Sequence, residues 1–148
     1  MSSRTSIGVV AVLLVAAPAL AQQPTAAGRV KIVTGQAFIV RADQQIAAQP
    51  GQLVYESDTL RTGADGTIGV TLKDDTRVSL GPASEVRVAK FSYGSADGSL
   101  GLVLKVMRGV TAYVSGRIAK LAPDSVRLET PSAIVGVRGT TLAIRVEP

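Results

Sequence analysis

The chain has 148 residues, with 16 Lys and Arg against 11 Asp and Glu, and neither histidine nor cysteine. Disulfides, thiol nucleophiles, the usual general base and the usual transition-metal ligands are therefore excluded, so stability must come from a packed core. The basic residues (Arg41, Arg61, Arg77, Arg87, Lys90, Lys105, Arg117, Lys120) are scattered with almost no aromatic interleaving, whereas nucleic-acid binding wants a basic stripe or stacking platforms. Scattered charge reads first as a solvated face, with a weak attraction to an anionic membrane surface or acidic glycan as the alternative.

In chain order, residues 1–21 read as a cleavable signal peptide. Arg4 supplies a positive start, Ile7 to Ala17 an apolar run shorter than the roughly 20 residues of a spanning helix, and Ala19-Leu20-Ala21 a small-x-small cleavage site before Gln22. No cysteine follows for a lipid anchor, so the expectation is a periplasmic or secreted chain, cleaved after Ala21, without a transmembrane helix. Residues 22–28 read as a disordered linker. Residues 29–148 suit one domain.

The remaining segments alternate at period two, the pattern of half-buried strands. Phe38 reads as inward-facing in an opening strand. Ile68, Val70 and Leu72 form one stripe, followed by Val78 and Leu80, then Val86 and Val88. Leu100, Leu102, Leu104 and Val106 make the longest stripe, continued by Val110, Ala112 and Val114. Val126 and Leu128 follow, then Leu142, Ile144 and Val146 with Arg145 facing away. Turn chemistry separates the strands at Gly35, Pro50-Gly51, Gly63 to Gly66, Asp74-Asp75, Gly81-Pro82, Asp97-Gly98 and Ala122 to Asp124. Ser92 to Ser99 is rich in serine, glycine and alanine, and Tyr93 to Gly98 within it reads as a mobile loop. The expectation is an all-β single domain of short strands. A faint echo between Arg77 to Ser84 and Arg127 to Ala133 leaves a β-solenoid-like arrangement and a sandwich both open.

The C-terminal run Thr130-Pro131-Ser132-Ala133-Ile134-Val135-Gly136-Val137-Arg138-Gly139-Thr140, followed by the Leu142 to Val146 alternation, resembles the signature of the FecR domain. Upstream, Gly35 to Arg41, Gly51-Gln52-Leu53, Asp58 to Gly63 and Gly81 to Val86 are similar to earlier segments of that family, so the resemblance covers residues 29–148. The motif positions carried over are Asp58, Thr62, Gly63, Pro82, Ser84, Thr130, Pro131, Gly136, Val137, Arg138, Gly139 and Thr140. Ser57 stands where the family usually has glycine. The resemblance implies a binding or sensing module of the cell envelope rather than an enzyme, with no cofactor. The family is known as the periplasmic part of iron-responsive transmembrane regulators; here a signal peptide stands in place of their cytoplasmic and spanning parts, so this polypeptide is not expected to carry a signal across the inner membrane itself.

Local chemistry agrees with a non-enzymatic reading. There is no Ser-x-x-Lys and no Gly-x-Ser-x-Gly. Asp74-Asp75 offers oxygen ligands for calcium, but no calcium-loop spacing follows, and a polar hairpin turn is the better reading. Asp58 and Thr62 read as bonding backbone amides of the turn before Gly63. Gly136 and Gly139 read as sites of tight backbone geometry or close strand approach. Arg138 has two readings, a structural pin on a carbonyl or carboxylate and a clamp on an acidic partner group, of which the first is preferred.

Leu142, Ile144 and Val146 form a candidate partner edge, since a terminal alternating strand suits strand addition. By resemblance the expected partner is a protein, a receptor signalling domain or a membrane regulator; no nucleic acid is expected. The alternative is an envelope structural or glycan-associated module, for which Tyr55, Tyr93 and Tyr113 would supply an aromatic platform. A small-molecule sensor has little support, because no cluster of aromatics or arginines marks a pocket.

Overall fold

The computed structural model describes residues 2, 8, 10–18, 24–138 and 141–148. Arg4 and Ala19 to Gln22, which carry the ends of the expected signal peptide, lie outside them, as do Gly139 and Thr140 of the C-terminal motif. Residues 10–18 form neither helix nor strand.

Among the described residues twelve strands, one short α-helix and one 3-10 turn follow in chain order: β1 Ala26–Thr34, β2 Ala37–Arg41, β3 Gln44–Ala47, β4 Leu53–Tyr55, β5 Thr59–Thr62, β6 Thr67–Leu72, β7 Arg77–Leu80, β8 Glu85–Ser92, β9 Gly101–Val114, α1 Arg117–Leu121, the 3-10 turn Pro123–Ser125, β10 Val126–Glu129, β11 Ile134–Gly136 and β12 Thr141–Val146. The all-β expectation holds. β1 begins at Ala26, and Ala27 is 1% exposed. Residues 26–28, expected in a disordered linker, are thus part of the sheet: Ala27 is small and apolar enough to pack there.

One sheet, ordered β3-β2-β5-β8-β9-β7-β6-β1-β4, curls over a single core. β9 is the axis. Its first half pairs with β8 on one flank and β10 on the other; its second half pairs with β7 and β12. Two layers result, one of β4, β1, β6, β7 and β12, the other of β3, β2, β5, β8, β10 and β11, with β9 in both. Every ladder is antiparallel except β9–β10. Of the two architectures the sequence leaves open, this is nearer a sandwich, because a solenoid stacks coil on coil in parallel ladders. The echoing segments do not stack either: β7 runs antiparallel to β9 in the first layer and β10 parallel to it in the second.

The core takes Val30, Ile68, Val70, Val78 and Leu80 from the first layer and Ile39, Leu60, Val86, Val88, Leu104 and Leu128 from the second. Ile118 and Ala119 of α1 cover one end. Each fully buried aliphatic side chain contributes about 1.5–3 kcal/mol, and that burial replaces the missing disulfides.

Two alternations differ from expectation. In β2 the buried residues are Ala37 and Ile39, and Phe38 lies half-buried on the opposite face. Phe38 is the larger side chain, but the neighbouring Ile39 is the one aligned with Leu60 across the ladder. In β9, Leu102, Leu104 and Val106 face inward as expected, but beyond them Thr111 and Tyr113 are buried and Val110 is 37% exposed. The register explains the switch. Val86 pairs with Val106 and Glu85 with Arg108, leaving Met107 as an extra residue. Such a bulge inverts the phase of everything after it and bends the strand. Gly109 completes the bend at φ 80°, a left-handed geometry that suits glycine, and a side chain there would collide with Ser84.

Candidate functional site

Four of the motif residues meet at one corner. Two of the places where the chain crosses between layers are the bent β9 and the Gly81 to Ser84 connection between β7 and β8. These crossings are stapled together. Thr62 Oγ1 donates to the Gly81 carbonyl at 2.7 Å and accepts from the Ser84 amide at 2.9 Å. The Thr62 amide donates to the Ser84 carbonyl at 2.9 Å, and the Ala83 amide to the Gly63 carbonyl at 2.9 Å. Ser84 Oγ accepts from the Val110 amide at 2.9 Å and donates to the Pro82 carbonyl at 3.0 Å. Thr62 and Ser84 are 2% and 0% exposed. Thr62, Gly63, Pro82 and Ser84 therefore build the fold. Thr62 bonds this connection rather than the turn before Gly63.

Asp58 lies away from that corner, between β4 and β5, and is 1% exposed. Its Oδ2 accepts the Tyr55 amide at 2.8 Å, closing its own turn. Both its oxygens also receive Arg41, Nε at 2.9 Å and Nη2 at 2.7 Å, while the guanidinium lies over the Tyr55 ring at 4.6 Å. The hydrogen bond Arg41 donates to Asp58 raises the Arg41 pKa above its ordinary value, against the opposing effect of burial. Ser57, in the family's glycine position, holds φ 75°, so the left-handed turn is kept without glycine.

Around this pair opens a cleft of about 680 Å³ whose lining includes Arg41, Asp43, Tyr55, Glu56, Asp58 and Arg87. The fold thus gathers an aromatic and two arginines that the sequence spreads over almost fifty positions, contrary to the expectation that no such cluster marks a pocket. Arg41 is already held by Asp58 and Tyr55, which leaves Arg87 as the cation turned to solvent.

Asp74 is fully buried and carries no sign of a calcium site. Its side chain accepts from the Thr76 amide, the Thr76 hydroxyl and the Ile118 amide at 3.1, 2.7 and 3.2 Å, and its carbonyl takes the Arg117 amide at 2.7 Å. It shapes the β6–β7 turn and caps α1, whose preceding Gly116 has no side chain to do so. Among the described residues no acidic cluster is arranged to hold a metal.

In the C-terminal motif, Thr130 closes the β10–β11 hairpin: its amide donates to the Ala133 carbonyl at 2.8 Å and its Oγ1 accepts the Ala133 amide at 3.0 Å. Pro131 is exposed in that turn and Val137 is buried beyond it. Gly136 differs from expectation, since nothing lies within 4 Å of where its side chain would start. Arg138 reaches Asp124 at 3.8 Å, with both side chains almost fully exposed. A pair of that kind contributes little, so it is a weak version of the structural pin.

β12 follows. Leu142, Ile144 and Val146 are half-buried against the core, while Thr141, Ala143 and Arg145 face solvent. Among the described residues β12 pairs only with β9, so its outer edge is open. Of the three tyrosines, Tyr113 is 1% exposed and Tyr55 and Tyr93 are half-buried; Tyr93, expected in the mobile loop, instead packs against the core.

The profile of the family described as FecR protein matches residues 58–148. The chain belongs to the FecR family. FecR is a regulatory and sensing family whose domains are periplasmic in their family context, and the coarse functional class is thereby a signalling or sensing module of the envelope. The FecR match begins at Asp58, so β1 to β4 and the likeness at Gly35 and Gly51 fall outside it. No curated protein and no solved structure is significantly similar to the chain. Among the described residues no helix is long and apolar enough to cross a membrane.

Proposed function

We propose that this FecR-family domain is an exported, non-enzymatic module that docks to a protein partner in envelope signalling, using the edge of β12. The observation that carries the reading is the one-sided pairing of β12: its apolar residues are anchored on the core while the backbone groups of its outer edge face solvent. A partner strand laid there gains main-chain hydrogen bonds, with Ala143 and Arg145 available for contact. A receptor signalling domain or a membrane regulator is the partner class. Motif residues Thr62, Gly63, Pro82 and Ser84 support the reading from inside, by holding the bend of β9 on which β12 rests.

The chain has no cysteine, so a single one at Ala143 carries a crosslinker without competition. Crosslinking from Ala143 in the native envelope is expected to capture a receptor signalling domain or membrane regulator that a crosslinker at Gln45 on β3 does not. Equal capture from both positions would sink edge docking. The aromatic-platform version of glycan association finds no exposed tyrosine among Tyr55, Tyr93 and Tyr113.

A further inference from the structure

The basic residues that are scattered in the sequence converge in the fold. On the outer face of the second layer, the ladder across β2, β5, β8, β9 and β10 aligns Val40, Thr59, Arg87, Lys105 and Glu129 in one row. A second row holds Phe38, Arg61, Glu85 and Arg108, and a third holds Lys90, Val103 and Arg127. Six cations thus share one face with two carboxylates, a net charge of +4 against +5 for the whole chain. The other layer's outer face carries half as many cations and no carboxylate in its rows: they read Arg29, Thr71, Arg77, Val114, Thr141, then Ile32, Gly69, Ser79, Ala112, Ala143, then Val110 and Arg145.

The carboxylates do not neutralise this face. Glu85 lies 3.4 Å from both Arg61 and Arg108, and Glu129 lies 3.4 Å from Arg127 and 3.9 Å from Lys105. Their side chains are 17% and 23% exposed, those of the cations around them 36–53%. The acids therefore sit low between raised cationic ends. Arg87 and Lys90 are exposed and have no carboxylate within 4 Å among the described residues. Arg87 also stands directly opposite Lys105, and like charges so placed are destabilising. A face selected only for solubility has no need of that arrangement; a negative surface laid over it relieves the repulsion.

We infer that this face rests on an anionic phospholipid leaflet. Its cations are spread over β5, β8, β9 and β10 at the strand spacing of about 4.8 Å, rather than converging on one point, which matches a plane of phosphates better than a single bound anion. The partly exposed Phe38 and Val40 interleave with them. The β12 edge belongs to the other layer, so contact with lipid leaves it free; the inference stands whether or not β12 binds a protein.

The test is flotation of the protein with vesicles, either pure phosphatidylcholine or containing 30% phosphatidylglycerol. Binding is expected only to the anionic vesicles and to fall as salt rises. Each Lys or Arg near such a surface contributes about fivefold in affinity, so Arg87→Gln/Lys90→Gln/Lys105→Gln is expected to weaken binding about a hundredfold. Arg77→Gln/Arg145→Gln, which removes two cations from the other face, is expected to change it little. Arg87→Gln alone, expected to lose about fivefold, gives the answer if the triple variant does not fold. Failure to bind anionic vesicles, equal loss in the Arg77/Arg145 variant, or unchanged binding by Arg87→Gln would overturn the inference, as would capture of an acidic protein through this face without lipid binding.

Discussion

Arg41 and Asp58 face each other in a two-pronged ion pair, with Nε to Oδ1 at 2.9 Å and Nη2 to Oδ2 at 2.7 Å. The carboxylate is buried, the guanidinium 37% exposed. Removing the acid leaves Arg41 free to rehydrate but strands the Tyr55 amide. Asp58→Ala is therefore expected to cost about 2 kcal/mol, less than a wholly buried pair would. Urea unfolding of the single variants and of Arg41→Ala/Asp58→Ala measures the coupling, which is expected to exceed the sub-kilocalorie value of a surface pair.

Ser57 offers the opposite sign. At φ 75° its side chain is strained in a conformation that glycine adopts freely. Ser57→Gly relieves that strain and loosens the unfolded chain, and the balance is expected to stabilise by about 0.5 kcal/mol. An upward shift of the urea midpoint with an unchanged slope checks it.

Asp74 ties the β6–β7 turn to α1 through three accepted hydrogen bonds while fully buried. Asp74→Ala leaves two backbone amides without their acceptor and is expected to cost about 3 kcal/mol. Thermal unfolding measures the loss. Calcium added to the native protein is expected to leave its melting temperature unchanged, because these oxygens are already engaged.

Asp97 supplies a pH prediction. The Ser95 hydroxyl, then the Ser99 amide and hydroxyl, donate to its carboxylate and lower its pKa to about 2. A depressed folded value means that whatever this loop gains from ionised Asp97 is present above the ordinary carboxylate pKa near 3.9, and is lost as pH falls through about 2. Carboxyl chemical shifts followed by NMR are expected to titrate near that value, and to move upward in Ser95→Ala.

Much of this molecule is legible in its sequence. The stripes of β6, β7, β10 and β12 emerge with the inward residues expected, because each strand has one face on the core and no irregularity. Phe38 fails because Ala37 to Val40 is a continuous apolar run, in which either phase puts apolar residues inward; the end of β9 fails for another reason. Alternation reports a face only while the pleat is unbroken, and the bulge at Met107 depends on a partner strand some twenty residues earlier. The motif residues are visible as letters, yet their meeting at the layer crossing requires β5, the β7–β8 connection and β9 to be in place. The cationic face is hidden most deeply: Arg87, Lys105 and Arg127 become neighbours only through ladder register.

The central position of β9 also sets the order in which the molecule can be finished. Both strands on its second flank, β10 and β12, come after it in the chain. A nascent polypeptide ending near residue 120 has one side of its longest strand bare, with Leu128 still absent from the core. Productive collapse must wait for residues 126–146, and most pairings join distant segments. Folding is then expected to be slow, in the millisecond-to-second range of sheets dominated by non-local contacts, and to begin in earnest only once β12 has been made. Stopped-flow refolding would register that delay as a single slow phase, and a fragment lacking residues 126–148 would show none.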